Sequence, residues 1–145
     1  MSAKDLKALE HHFYGEWNKG KAALLAVIDE TCAINLVFHS GMGGDIRGIK
    51  DFKQYMSEFC DALPDIHVTI DDMIVEGDKI ATRYTMTGTH KGEIMGIRPT
   101  NKKVTDWMIG IDKVVGGKFV ESWARSDTLG FMQQLGVVPT PKKEN

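Results

Sequence analysis

The stretch whose reading decides the fold is Phe119-Val120-Glu121-Ser122-Trp123-Ala124-Arg125-Ser126-Asp127, which runs directly into Thr128-Leu129-Gly130-Phe131-Met132-Gln133-Gln134-Leu135-Gly136. Side chains alternate across a strand, so strict alternation sends Phe119, Glu121, Trp123, Arg125 and Asp127 one way and Val120, Ser122, Ala124 and Ser126 the other. Aromatic rings on such a face favour burial, while unpaired charges oppose it. A semi-enclosed pocket accommodates both.

Working back from this segment, four strand-like stretches are predicted at about 66 to 75, 79 to 90, 104 to 112 and 118 to 127. Glu76-Gly77-Asp78 and Val115-Gly116-Gly117 supply turn chemistry between neighbours. Three helices precede them. Leu6, Leu9, Phe13 and Trp17 recur at helical spacing, with Lys4, Lys7, Glu10 and Glu16 assigned to other faces. A short second helix follows through Ala22–Ile28. Ile49, Phe52, Met56, Phe59 and Leu63 mark a third, which Pro64 closes. Between them lie β-type residues Asn35–His39 and a loop marked by Gly41, Gly43, Gly44 and Gly48. Helices first and a meandering sheet afterwards read as α+β, with a curved antiparallel sheet wrapped around the three N-terminal helices and a ligand site at its open end. We expect one domain over residues 1–138 and a flexible tail over 139–145.

Composition narrows the function classes. The formal net charge is -2, with both signs interspersed, which gives no electrostatic footprint for nucleic acid. The charged start, Met1-Ser2-Ala3-Lys4-Asp5, and the absence of a long apolar run predict a cytoplasmic protein with no membrane partner. Cys32 and Cys60 fit no metal-ligand spacing and read as reduced packing residues. No histidine-based ligand pattern occurs, and Gly41-Met42-Gly43-Gly44 lacks the lysine of a phosphate-binding loop, so no metal and no cofactor are expected.

Several words of the sequence resemble the SnoaL-like polyketide cyclase family, a branch of the nuclear transport factor-like superfamily of cone-shaped α+β proteins. They are Val75-Glu76-Gly77-Asp78-Lys79-Ile80-Ala81-Thr82-Arg83, Gly88-Thr89-His90-Lys91-Gly92-Glu93, Gly96-Ile97-Arg98-Pro99-Thr100, and Gly117-Lys118-Phe119-Val120-Glu121-Ser122-Trp123 with Asp127 and Gln134-Leu135-Gly136. Leu63-Pro64-Asp65 and Val37-Phe38-His39 also fit. The resemblance implies a cone-shaped barrel. It also implies a cofactor-independent cyclase or isomerase acting on a small carbonyl, polyketide-like compound, with Asp127 as the acid/base of an intramolecular aldol closure. A carboxylate in a water-poor cavity gains proton affinity, which suits that chemistry.

Around Asp127, His39 and His90 are the further catalytic candidates, either being able to hold or polarise a carbonyl. Ile80, Thr82, Tyr84, Met86, Gly88 and His90 share a strand face, with Tyr84 deep and His90 towards the rim. Trp17, Phe59, Tyr84, Met86, Trp123 and Arg125 are expected to contact a hydrophobic or polycyclic carbonyl ligand. Each has a structural alternative: Asp127 as the cap of a C-terminal helix, the histidines as satisfied core groups, Arg125 in an ion pair with Glu121 or Asp127. Arg125 with Asp127 and Asp106 also resembles the water-activating set of limonene-epoxide hydrolases, but in reversed order, and Asp106 alternates away from the apolar Trp107, Ile109 and Ile111. A non-catalytic ligand-binding or dimeric interaction module of the same fold is equally open at this point. Because the strand from Thr105 to Ile111 is apolar on both faces, a homodimer formed through the sheet is expected.

Overall fold

The computed structural model of the chain describes residues 1–40 and 44–141. Helix α1 spans Ala3–Trp17 and opens on a capping box in which the Ser2 hydroxyl accepts from the Asp5 amide and the Asp5 carboxylate accepts from the Ser2 amide. Helix α2 covers Lys21–Thr31, strand β1 Cys32–His39, strand β2 Asp45–Arg47 and helix α3 Ile49–Ala62. Four long strands follow, β3 (His67–Glu76), β4 (Lys79–Thr89), β5 (Lys103–Val115) and β6 (Lys118–Ser126), and helix α4 (Thr128–Leu135) ends the fold. Together they form the α+β architecture that the pattern predicts.

The six strands lie in the order β2-β1-β6-β5-β4-β3. All neighbours are antiparallel except β1 and β6. That parallel joint refines the expected antiparallel sheet: the chain leaves β1, crosses through α3 and the β3–β5 meander, and returns alongside its starting strand, the long connection that parallel pairing demands. The sheet curls around the helices without closing. Its concave side meets α1 through Leu6, Phe13, Tyr14 and Trp17, and the core continues through Leu24, Ile28, Phe52 and Met56 to Ile80, Tyr84 and Phe119. One residue on the inward stripe is charged. Glu10 is buried, whereas Leu9 is only partly covered, so the expected assignment of Glu10 to an outer face is corrected. Leu6, Glu10, Phe13, Tyr14 and Trp17 follow the helical repeat more closely than a stripe through Leu9 does.

A bulge in β6 sets the rest. Phe119 pairs with Val114 and Glu121 with Lys113, leaving Val120 without an opposite number. Phe119 therefore points into the core, but beyond the bulge the alternation inverts. Ser122 and Ala124 join the concave face, while Glu121, Trp123 and Arg125 take the convex one. Trp123 lies opposite both Ile111 and His39 across this outer face. The single face expected for Phe119 through Asp127 is thus split in two.

The glycine loop is covered only in part: residues 41–43 lie outside the described residues, and Asp45–Arg47 pairs with β1. Of the expected flexible tail, Pro139 accepts a hydrogen bond from the Gln133 amide at 3.1 Å, and residues 142–145 lie outside the described residues. Among the described residues no helix is long and apolar enough to cross a membrane.

The convex face carries Trp107, Ile109 and Ile111 at 55%, 59% and 41% exposure, flanked by Ile74 at 67%. Exposing apolar surface of this kind to water is unfavourable, and burying it against a partner is stabilising. We expect a homodimer joined through it, with light scattering giving twice the 16.1 kDa chain mass and Ile109→Lys shifting the population to monomer. A monomer mass for the unaltered chain at micromolar concentration would refute the assembly.

Candidate functional site

The inward residues of β5 organise the site. Asp106, Met108, Gly110 and Asp112 alternate onto the concave face, with Trp107, Ile109 and Ile111 on the other. They line two adjoining chambers that share Phe38, Tyr55, Phe59, Met108 and Ala124 as walls. The outer chamber holds about 370 Å³ and the inner about 90 Å³.

Three acids line the outer chamber, Glu58, Glu93 and Asp106, and Asp106 is the buried one among them. It is 6% exposed, and burial pushes its carboxyl up to about 6. The charge of Asp127 adds to that rise, whereas the Asp127 and Trp107 amides and the Ser126 side chain oppose it by hydrogen bonding. The Asp127 N–H donates to Asp106 Oδ1 at 3.2 Å. The surrounding wall is mainly apolar, built from Phe59, Met108, Ile94 and Phe131. Helix α4 is fixed over this end of β5 by Gln134, whose side chain accepts from the Thr105 N–H and donates to the Thr105 carbonyl, both at 2.7 Å. The Gln134-Leu135-Gly136 ending thereby has a local cause: the amide clamps the helix to the strand, and Gly136, at φ 81°, ends it in the left-handed region.

The inner chamber ends in a second acidic group. Glu10 of α1 meets Asp112 of β5, and burial, the largest cause in each case, holds both carboxyls above their ordinary range. The Asp112 charge raises Glu10 further, while hydrogen bonds from Glu10 and Ser122 moderate Asp112. Two buried carboxyls in contact hold a proton between them, because a pair of adjacent negative charges out of water is costly. Tyr14 and Tyr84 lie beside the pair, hydrogen-bonded to each other with ring centroids 5.1 Å apart, and burial raises both phenols. Gly110 lets the neighbouring strand approach closely, since a Cβ there would stand 3.1 Å from the Trp123 carbonyl oxygen.

The expected site residues divide. Trp17, Phe59 and Tyr84 line the inner chamber, and Phe59 the outer as well. Met86, on the Tyr84 face of β4, is core at 2% exposure. His90 is fully buried rather than at the rim, because the segment after β4 folds over it: Nδ1 accepts from the Thr100 N–H at 3.1 Å, and Nε2 has no partner. Beyond the β6 bulge Trp123 and Arg125 take the convex face, where Trp123 lies opposite His39 of β1. His39 Nδ1 lies 2.7 Å from Asp45 and Nε2 2.8 Å from Glu121, hydrogen bonds that raise its pKa, Glu121 most. The imidazole stacks on the Trp123 ring, with centroids 5.2 Å apart, and Trp123 also lines the inner chamber. Arg125 donates to the carbonyls of His39 and Ala124, not to the carboxylates expected as its alternative partners. Asp127 is exposed and caps α4, accepting the Gly130 N–H at 3.0 Å.

Asp112, Glu10 and Tyr14 are lining residues that sequence reasoning missed, and Asp106 entered it only as the second carboxylate of the epoxide-hydrolase resemblance. The signal lay in β5, where the polar set Asp106, Gly110 and Asp112 opposes the apolar set Trp107, Ile109 and Ile111. The apolar set was the natural choice for the interior, and it is the outer surface. Cys32 and Cys60 are buried free thiols, and burial pushes Cys32 up to about 12. Among the described residues no cluster of three or more histidines, cysteines or acids is arranged to hold a metal ion.

A family model of SnoaL-like polyketide cyclases matches residues 9–135, and the chain belongs to that family. Solved structures agree over nearly the whole chain. AclR from Streptomyces galilaeus is 28% identical, with 98% of this chain and 87% of that one covered at a TM-score of 0.85. IdmH from Streptomyces antibioticus is 29% identical over 90% and 98% of the two chains, at 0.77. TsrD from Streptomyces laurentii is 26% identical over 95% and 99%, at 0.83. No curated protein matches the chain significantly.

Two stability tests follow from the geometry. Asparagine caps a helix nearly as well as aspartate, so Asp127→Asn should be close to silent in thermal melts, while Asp127→Ala should cost about 1 kcal/mol. Asp106 carries the opposite sign: its proton affinity is higher folded than unfolded, so stability falls as pH rises from the unfolded value of 3.8 through about 6 and stays lower above it. Asp106→Asn should therefore raise stability at pH 7 by about 3 kcal/mol, with the gain disappearing below pH ~4. Parallel melts across that pH range check both the sign and the window.

Proposed function

We propose that this member of the SnoaL-like polyketide cyclase family is a cofactor-independent cyclase or isomerase of a polyketide-like carbonyl compound, with Asp106 as its proton acceptor. The observation that carries the reading is a carboxyl only 6% exposed, pushed up to about 6 by its burial, in the wall of a mainly apolar chamber. AclR is provisionally described as a hydroxylase and IdmH provisionally as a polyketide cyclase. The cyclase reading is favoured here because a single carboxylate suffices for proton abstraction beside a carbonyl.

In the proposed reaction, the Asp106 carboxylate takes a proton from a carbon next to a carbonyl and leaves an enolate. The enolate carbon attacks a second carbonyl of the same molecule, forming the ring's carbon–carbon bond as that carbonyl's π electrons move to oxygen. The resulting alkoxide recovers the proton from Asp106, restoring the carboxylate. If the proton returns to a different carbon instead, the outcome is isomerisation. Asp127 acts here as a positioning residue: its amide orients Asp106 Oδ1, and its charge helps keep the proton affinity high. The burial of Asp106 limits its solvation, which strengthens it as a base.

Asp106→Asn should lower kcat on a linear or partly cyclised polyketide ketone by about 10²- to 10⁴-fold while ligand affinity changes little. For the unaltered protein kcat/KM should rise with pH through about 6, as the base ionises. Product formation followed by mass spectrometry reads both. Full turnover by the asparagine variant on a confirmed substrate would remove Asp106 from the role.

A further inference from the structure

We propose that Tyr55 is the second catalytic group of this site, its hydroxyl donating a hydrogen bond to the substrate's carbonyl oxygen while Asp106 takes the proton from the neighbouring carbon. This role rests on the reading of Asp106 as the proton acceptor and deepens it by naming the group that meets the charge created in that step. Ser40, Tyr55, Ser126 and Thr128 bring hydroxyls to the lining of the outer chamber. Ser40 donates to the Gly44 carbonyl at 3.2 Å, and the Ser126 and Thr128 hydroxyls bond each other at 3.1 Å. The Tyr55 hydroxyl makes no hydrogen bond among the described residues, and burial alone raises its phenol. Tyr55 is partly buried, and its hydroxyl keeps accessible surface, unlike the sealed polar atoms of Thr82 and His90.

The placement suits the chemistry. Tyr55 stands on α3 beside the buried Phe52 and Met56, and its ring lies against Phe38 of β1 and Phe59, with centroids 5.6 Å and 6.4 Å away. A donor held by its neighbours before the reaction needs no reorganisation as charge develops. Tyr55 lines both chambers and Asp106 the outer one, so a carbonyl near their junction is met by the hydroxyl from α3 and by the base from β5. As Asp106 takes the proton, the C–H electrons become the C=C bond of the enolate and the carbonyl π electrons move to oxygen, where the Tyr55 O–H stabilises them. The proton stays on Tyr55, because burial holds the phenol above its ordinary range. When the enolate carbon attacks the second carbonyl, the first C=O re-forms and its bond to Tyr55 weakens. No lysine, arginine or histidine stands among the described residues that line the outer chamber, which leaves the neutral phenol as the side-chain donor for that oxygen.

The test uses 2-tetralone, a ring-fused ketone with acidic α-protons, isotopically enriched at its carbonyl carbon for NMR. We expect the bound carbonyl resonance to lie at higher frequency in the unaltered protein than in Tyr55→Phe, where the donor is gone and the ring remains. Because the hydroxyl has no partner in the fold, Tyr55→Phe should melt at the unaltered temperature, which separates the loss from a folding effect. Equal resonance positions in the two proteins, or failure of the ketone to bind the unaltered protein at millimolar concentration, overturn the proposal. Exchange of the α-protons for deuterium reads the base separately. Asp106→Asn should abolish catalysed exchange, and Tyr55→Phe should slow it by about 10²- to 10³-fold, the range of one lost oxyanion donor. Catalysed exchange that depends on Asp106 but not on Tyr55 overturns the Tyr55 role alone. A Tyr55-dependent resonance without Asp106-dependent exchange supports the Tyr55 bond to the carbonyl and removes Asp106 as the base.

Discussion

The extra residue in β6 is the constraint on which the cavity depends. Without Val120 standing outside the ladder, Trp123 and Arg125 would follow Phe119 into the concave side. Two large side chains would then occupy the space above Gly110 and Met108. With the bulge, small Ser122 and Ala124 face inward and leave room, while Trp123 turns out to stack on His39. A bulge also bends its strand and increases local twist, which helps the sheet curl around α1 rather than lie flat against it. One inserted residue thus contributes both the volume of the site and the curvature that encloses it.

The two acidic positions on β5 show how a single strand face supports different protonation states. Asp106 lies where the chamber is wider and two backbone amides reach it, so its rise stops at about 6. Asp112 lies deeper, against Glu10, where the only relief from desolvation is a shared proton and the Ser122 hydroxyl. Environments that separate two carboxyls in this way separate the group that can accept a proton near neutrality from the pair that retains one. Both arrangements oppose stability, and the aromatic cluster of Phe13, Tyr14, Trp17 and Phe119 packed around them offsets the cost.

Much of the fold was legible because its signals are local. The turns at Glu76-Gly77-Asp78 and Val115-Gly116-Gly117, the stripe of α3 ending before Pro64, and the period-two rhythm of β4 all match the observed elements. What escaped was relational. A bulge is visible only from the partner strand, since Val120 is unremarkable in its own sequence. The inside of β5 could not be told from its outside, because Trp107, Ile109 and Ile111 look more like core than Asp106, Gly110 and Asp112 do. Glu10 was misassigned for a related reason: a charge on an apolar stripe is read as a sign of the outer face unless a buried acid partner is known to await it.

The pattern of a tryptophan followed four residues later by an aspartate is then better understood as architecture acting on chemistry. Trp123 anchors the outer face of β6, and Asp127 ends the strand by capping α4. In doing so Asp127 directs its own amide at Asp106 and the start of α4 towards the chamber, so that Phe131 closes the wall and Gln134 locks onto Thr105. The aspartate at the end of β6 therefore acts on the aspartate on β5 in two opposed ways, its amide lowering and its charge raising a proton affinity that burial dominates. Replacing the Asp127 side chain removes a helix cap and a neighbouring negative charge, so such a change reaches Asp106 through the seating of α4 and through electrostatics although Asp127 lines neither chamber.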